Sequence, residues 1–185
     1  MSNVTPNYGF ILPEDGEAYD IEIVNQNFTS ADALLLARDK QAKGIVARHI
    51  KNDVDSGAIT AVASLASTIP SFSFKGGRSY EIGFKGNYYV DNVDTVLLFQ
   101  IGTCAVADAQ SLTTGVTVLD QTDYSTNVTN RGYPINFFAL YEPGADTTLQ
   151  IKVLAQRIQG TGNIKMQRST VAPNILYIRD CGDQI

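Results

Sequence analysis

His49 is the only histidine of the chain. With Cys104 and Cys181 it makes up the whole inventory of neutral-pH bases, thiol nucleophiles and soft metal ligands. Nucleophilic catalysis needs a base within hydrogen-bond reach of a serine or cysteine, usually steadied by a third group. His49 sits between Arg48 and Ile50, with no Gly-x-Ser-x-Gly elbow and no cysteine motif beside it. A surface or interface histidine is therefore expected, and no catalytic residue is assigned. Two thiols far apart in sequence cannot build a zinc site without more histidines, so they read as small buried hydrophobes rather than ligands or a disulfide.

Carboxylates are the next candidates. Asp91, Asp94, Asp120 and Asp123 fall in or near turns, where a glycosidase could keep its acid and base. Turns are also where aspartates are commonest, since they hydrogen-bond their own backbone. Asp91-Asn92-Val93-Asp94 has the start of a calcium loop without its later glycine and glutamate. No metal, cofactor or hydrolytic pair is expected. Tyr88, Tyr89, Tyr124, Tyr133 and Tyr141 could stack on sugar faces, but without a tryptophan they read as core and interface rings. There is no Walker loop and no Gly-x-Gly-x-x-Gly after a strand.

These residues must be held by three regions of different character. Met1 to Tyr19 is punctuated by Pro6, Gly9, Pro13 and Gly16, which break regular structure. Yet Tyr8, Phe10, Ile11, Leu12 and Tyr19 are interleaved among them. A purely flexible tail would be poor in such side chains, so this is an extended arm that lies in a groove.

Asp20 to Lys43 reads as helix, with Asp20 as N-cap. Ile21, Val24, Phe28, Ala31 and Leu35 recur at spacings of three, four, three and four, a two-heptad seam on one face. Thr29-Ser30 could split it into two shorter helices. The seam suits self-association and also packing on the chain's own domain; the arm before it favours self-association.

From Gly44 the period changes to two. Tyr80, Ile82 and Phe84 alternate with Ser79, Glu81, Gly83 and Lys85, and Leu149, Ile151, Val153 and Ala155 alternate with Gln150, Lys152, Leu154 and Gln156. One face of each strand is thus expected in a core and the other in water. About ten short strands are expected, Ala58–Ser64 and Ser71–Lys75 among them, separated by turn clusters such as 75–77, 142–146 and 160–163. The fold class is mainly β: an antiparallel β-sandwich or jelly roll preceded by an extended N-terminal arm and a helix. The domain division is 1–43, arm and helix, and 44–185, sandwich.

The net charge of −5, with lysines and arginines scattered singly, argues against a nucleic-acid partner, which needs a basic stripe. No apolar run approaches the roughly 20 residues that span a bilayer, and Met1 to Pro13 has no signal-peptide pattern. A soluble protein made in a bacterial cytoplasm, with no membrane partner, is expected.

The segment Thr5-Pro6-Asn7-Tyr8-Gly9-Phe10-Ile11-Leu12-Pro13, followed by Gly16, Tyr19-Asp20-Ile21 and Asn25-Gln26-Asn27-Phe28, resembles the opening of tail-associated proteins of phages that infect actinobacteria and other hosts. The likeness covers about the first 30 residues. Weaker likenesses to small β-sandwich minor tail proteins run through Gly44-Ile45-Val46-Ala47-Arg48-His49 and Leu176-Tyr177-Ile178-Arg179-Asp180-Cys181-Gly182, where Cys181 departs from the pattern. The resemblance implies a non-enzymatic virion protein docked through its N-terminus, commonly as a homotrimer, with the sandwich projecting. Its anchoring residues would be Pro6, Tyr8, Gly9, Phe10, Pro13, Tyr19 and Asp20, followed by the helix. Partners would be copies of itself and other phage tail or virion proteins at the tail tip, collar or fibre. Alternatives are a receptor-binding module for a host cell-surface glycan and a capsid decoration protein.

Overall fold

The computed structural model describes residues 3–4, 11–12, 21–51, 55–108, 115–126, 128, 130–170 and 172–183. The chain divides into two compact units, Met1–Gln41 and Ala42–Ile185.

In the first unit, β1 (Asn3–Val4) pairs antiparallel with β2 (Ile11–Leu12), a two-residue ladder where an arm without regular elements was expected. The anchoring residues Pro6, Tyr8, Gly9, Phe10, Pro13, Tyr19 and Asp20 lie outside the described residues. Helix α1 runs Ile21–Lys40 without a break. Thr29 does not start a new helix. Its Oγ1 donates to the Asn25 carbonyl one turn earlier, at 2.9 Å, which lets a threonine sit inside a helix without competing for its ladder. Arg38 and Lys40 in the last turn complement the helix dipole.

The second unit is the sandwich. Its strands are β3 (Gly44–Lys51), β4 (Ser64–Phe74), β5 (Arg78–Val90), β6 (Thr95–Ala105), β7 (Thr117–Thr126), β8 (Arg131–Tyr141), β9 (Thr147–Gln159), β10 (Ile164–Gln167) and β11 (Asn174–Asp183). A 3-10 turn, Val106–Asp108, follows β6. One sheet is ordered β8-β5-β11-β3, with β10 beside β5 beyond the end of β11; the other is β4-β9-β6-β7. Every pairing is antiparallel, and the chain repeatedly crosses between the sheets. This order is a jelly roll, the fold class expected from the alternating pattern.

The expected strand Ala58–Ser64 does not form. Only Ile59 makes a single bridge, to Ile164, and its side chain is buried. The residues expected to be a separate strand at Ser71–Lys75 instead continue β4 through Pro70. β4 is an edge strand, and its register against β9 slips between Ile69 and Phe72. A proline is tolerated at such an edge bulge because no ladder donor is needed there.

The core lies between the sheets. Tyr80, Ile82, Phe84, Tyr88 and Val90 of β5 face Leu97, Phe99 and Ile101 of β6 and Ile151, Val153 and Ala155 of β9, all within one buried cluster. The alternation in β5 is as expected except at Gly83, which is buried under the Tyr177 ring. In β9 it is not: Gln150, Lys152 and Leu154, on the opposite face, are buried too, Lys152 to 1% exposure. Val116, just before β7, lies against this face. At Gly102, which pairs with Lys152, an added Cβ would meet Val116 Cγ1 at 2.5 Å and the Thr117 carbonyl oxygen at 2.8 Å. Glycine is required there because backbone and side chain pass so close.

Candidate functional site

His49 lies on β3 and reaches across to β4, where its Nδ1 is 3.2 Å from Ser67 Oγ. A serine hydroxyl against an imidazole is the first half of a nucleophile–base pair, and the sequence offered no motif for it because the partners are 18 residues apart. Among the described residues nothing completes such a site. Ser67 is 0% exposed, so no substrate carbonyl could approach its oxygen. The charged groups around the imidazole are cations: burial, then Lys51 and Arg168, hold its pKa below the ordinary value of 6.5. A catalytic histidine of this type needs a carboxylate to orient and stabilise its charged form. His49 is built to stay neutral.

The carboxylates are also dispersed. Asp91 is consumed at a turn: its Oδ1 accepts from the Asn163 backbone N–H at 2.7 Å and its Oδ2 from the Asn163 carboxamide at 2.6 Å. These bonds, the side-chain one foremost, lower its pKa. Asp94 takes a left-handed backbone (φ 55°), a conformation that aspartate tolerates better than most residues, and this turns the chain into β6. Asp120 and Asp123 are exposed on β7. Among the described residues no group of three or more His, Cys, Asp or Glu side chains could hold a metal ion. Cys104 is buried and Cys181 exposed, both as free thiols.

The tyrosines form no sugar platform. Tyr88 stacks on Tyr133 (centroids 5.4 Å apart, planes at 19°) and meets Phe99 and Tyr124 inside the sandwich. Burial, then the neighbouring Tyr133 and Tyr124, raises the Tyr88 phenol to about 12. Tyr141 belongs to a second cluster, edge-on to Phe74, which is in turn edge-on to Tyr80 and Phe72. Tyr89 alone of the five lies on the outer face of its sheet, with Lys165 Nζ 5.6 Å from its ring centroid.

On helix α1 the expected seam is open to solvent. Phe28 is 71% and Leu35 63% exposed, and Leu36 adds a further 59% on the adjoining face. Val24 and Ala31 are half-buried and, with Asn27 and Phe28, line a shallow apolar hollow. Ile21 begins the helix.

The outer face of the first sheet carries a polar cleft of about 480 Å³ beside β10. Among the described residues Asp55, Asn87, Gln167, Arg168 and Ser169 line it, together with Gly132 and Ala172. Asp55 anchors one wall: Oδ1 accepts from the Arg168 N–H at 3.0 Å and Oδ2 lies 2.8 Å from Lys165 Nζ. The Lys165 bond, then that from Arg168, keeps Asp55 ionised to lower pH than an ordinary aspartate.

No family model and no curated protein sequence matches the chain. Among solved structures it is similar to the Eiger TNF of S. frugiperda, at 10% identity over 60% of this chain and 64% of that one, with a TM-score of 0.36. It is similar also to a structure of the Gt strain of infectious bursal disease virus, at 9% identity over 77% of this chain and 39% of that one, TM-score 0.40. A third similarity is to the enzymatically active domain of bacteriophage CBA120 tailspike protein 4, at 13% identity over 72% of this chain and 19% of that one, TM-score 0.27. The chain spans less than two thirds of the length of each.

Proposed function

We propose that this chain is a non-enzymatic structural protein of a bacteriophage particle, attached to the tail through its N-terminal unit and displaying the jelly roll. The observation that carries the reading is the uncovered stripe on α1. Phe28 and Leu35, one face of a 3-4-3-4 repeat, stand in water. Apolar area left exposed forgoes roughly 25 cal/mol per Å², and an amphipathic helix of this size gains most of its stability by covering such a face. The heptad spacing suits further copies of the same helix as the occupant, and the resemblance implies three around one axis, with Phe28 near the centre of the seam. The resemblance of the first 30 residues to tail-associated openings supplies the setting, a virion docking site.

The absence of turnover in this reading rests on the buried Ser67 and the cation-flanked His49. Antibody labelling of purified particles tests the placement. Label at the tail is expected; label on the head would make the chain a capsid decoration protein, and unlabelled particles would sink the virion reading.

A further inference from the structure

We propose that the cleft between Asn87, Gln167 and Asp55 is a subsite for one neutral, hydroxyl-rich sugar unit. This adds ligand recognition to the structural role and does not depend on it.

The class of ligand follows from what the cleft contains. Among the described residues that line it, no apolar side chain is larger than the methyl of Ala172, so they offer a lipid or aromatic ligand little surface to cover. Its ionised groups are of both signs: Asp55, already bonded to Lys165, and Arg168. Both are engaged within the protein, Asp55 with Lys165 and the Arg168 N–H and Arg168 with the Ala66 carbonyl, so neither is offered bare to a charged ligand. What remains is hydrogen bonding in both directions. The carboxamides of Asn87 and Gln167 each offer two donors and an acceptor, and neither makes a hydrogen bond among the described residues. Hydroxyls, which donate and accept at once, are the matching group, and a sugar presents several of them on one rigid ring.

The site is also held in shape before any ligand arrives. Gln167 on β10 sits opposite Asn87 on β5, and its side chain crosses β5 to lie over Gly132 on β8. A Cβ at position 132 would collide with Gln167 Oε1, so the glycine makes room for the carboxamide. Arg168 is tied by its Nη2 to the Ala66 carbonyl at 3.0 Å and by its backbone N–H to Asp55. Arg168 and Asp55, held in this way, lose little freedom on binding.

The Asp55–Lys165 ion pair borders a second cleft of about 260 Å³, lined by Tyr89, Asp91, Asn163 and Lys165 among others. One sugar bound only through hydrogen bonds at an open surface is held weakly, and several copies on one particle would multiply that affinity.

The test is a nuclear magnetic resonance titration of the full chain with D-galactose, D-glucose, L-rhamnose and N-acetyl-D-glucosamine, one at a time, with glycerol as a control polyol. Saturable shifts of the Asn87 and Gln167 side-chain amide signals are expected with at least one sugar and not with glycerol. Gln167→Ala should weaken that sugar by about tenfold, a loss of about 1.4 kcal/mol. Gly132→Ala, which displaces the same carboxamide without removing it, should weaken it in the same direction while the melting temperature stays close to wild type. Shifts absent with all four sugars, shifts equal with glycerol, or binding unchanged in both variants would overturn the subsite. Particle labelling is a separate readout: a tail-located protein that binds no sugar loses only this inference, and a sugar-binding protein absent from particles loses only the virion reading.

Discussion

Arg78 and Asp180 form a two-pronged buried ion pair across the junction of β5 and β11. Nη2 lies 2.7 Å from Oδ1 and Nε 3.0 Å from Oδ2, and both side chains are almost wholly out of water. The same carboxylate accepts the Gly182 N–H at 2.9 Å, inside a bulge where Gly182 adopts φ 103°. The hydrogen bond to Asp180 raises the Arg78 pKa, and Asp183 adds a further contact at 3.2 Å. The closing segment around Asp180 is therefore a clamp that fastens the last strand to the centre of its sheet.

Breaking that clamp on one side should be costly. Arg78→Met leaves Asp180 buried without its counter-ion, a change of about 3–5 kcal/mol. The double variant Arg78→Met/Asp180→Leu removes both charges and should recover a substantial part of that loss. Urea unfolding followed by circular dichroism measures all three. Equal destabilisation in single and double variants would mean that the pair's contribution is not the burial of an unmatched charge.

Acid should destabilise the sandwich through His49. Its folded pKa is depressed, mainly by burial and then by Lys51 and Arg168, below the 6.5 of an unfolded chain. The unfolded state binds the proton more readily, so the contribution is fully present above pH 6.5 and is lost as pH falls through the folded value. Thermal melts of wild type and His49→Gln from neutral pH downward should diverge. Wild type should lose more stability on acidification than the variant, and parallel curves would remove His49 from the explanation.

Alkali should reveal the inner tyrosines. Burial raises the phenols of Tyr88 and Tyr177 to about 12, and Tyr177 also donates a hydrogen bond to Glu81 at 2.8 Å. Here the folded pKa is raised, so the stabilisation is full below the ordinary value of 10 and is lost as pH rises through about 12. A near-ultraviolet phenolate titration of the folded protein should show a late phase, which disappears in Tyr88→Phe/Tyr177→Phe. A single phase at the ordinary position in native protein would contradict this burial.

Assembly should depend on Phe28. Light-scattering mass over a concentration series is expected to give a trimer for wild type and a monomer for Phe28→Asp, with the sandwich melting unchanged. A wild type that stays monomeric at every concentration, or a variant that loses its sandwich melt, would remove self-association as the role of the α1 face.

The change from a period near 3.6 to a period of two, after Lys43, announced a helical stretch, in one helix or two, and then a β domain, because each local backbone conformation places successive side chains at its own angle. For the same reason the spacing from Ile21 to Leu35 and the inward set Tyr80, Ile82 and Phe84 could be read directly. Periodicity is silent about what later comes to lie over a strand. Gln150, Lys152 and Leu154 read as a solvated face and became a buried one, with Val116 and the first residue of β7, Thr117, packed against neighbouring Gly102. Pairings distant in sequence were likewise decided only by the crossing of strands between sheets: His49 with Ser67, Gln167 over Gly132, and Arg78 with Asp180, which are 102 residues apart. Side-chain alternation depends on the bonds between neighbours, whereas these contacts depend on which strands the jelly roll lays side by side.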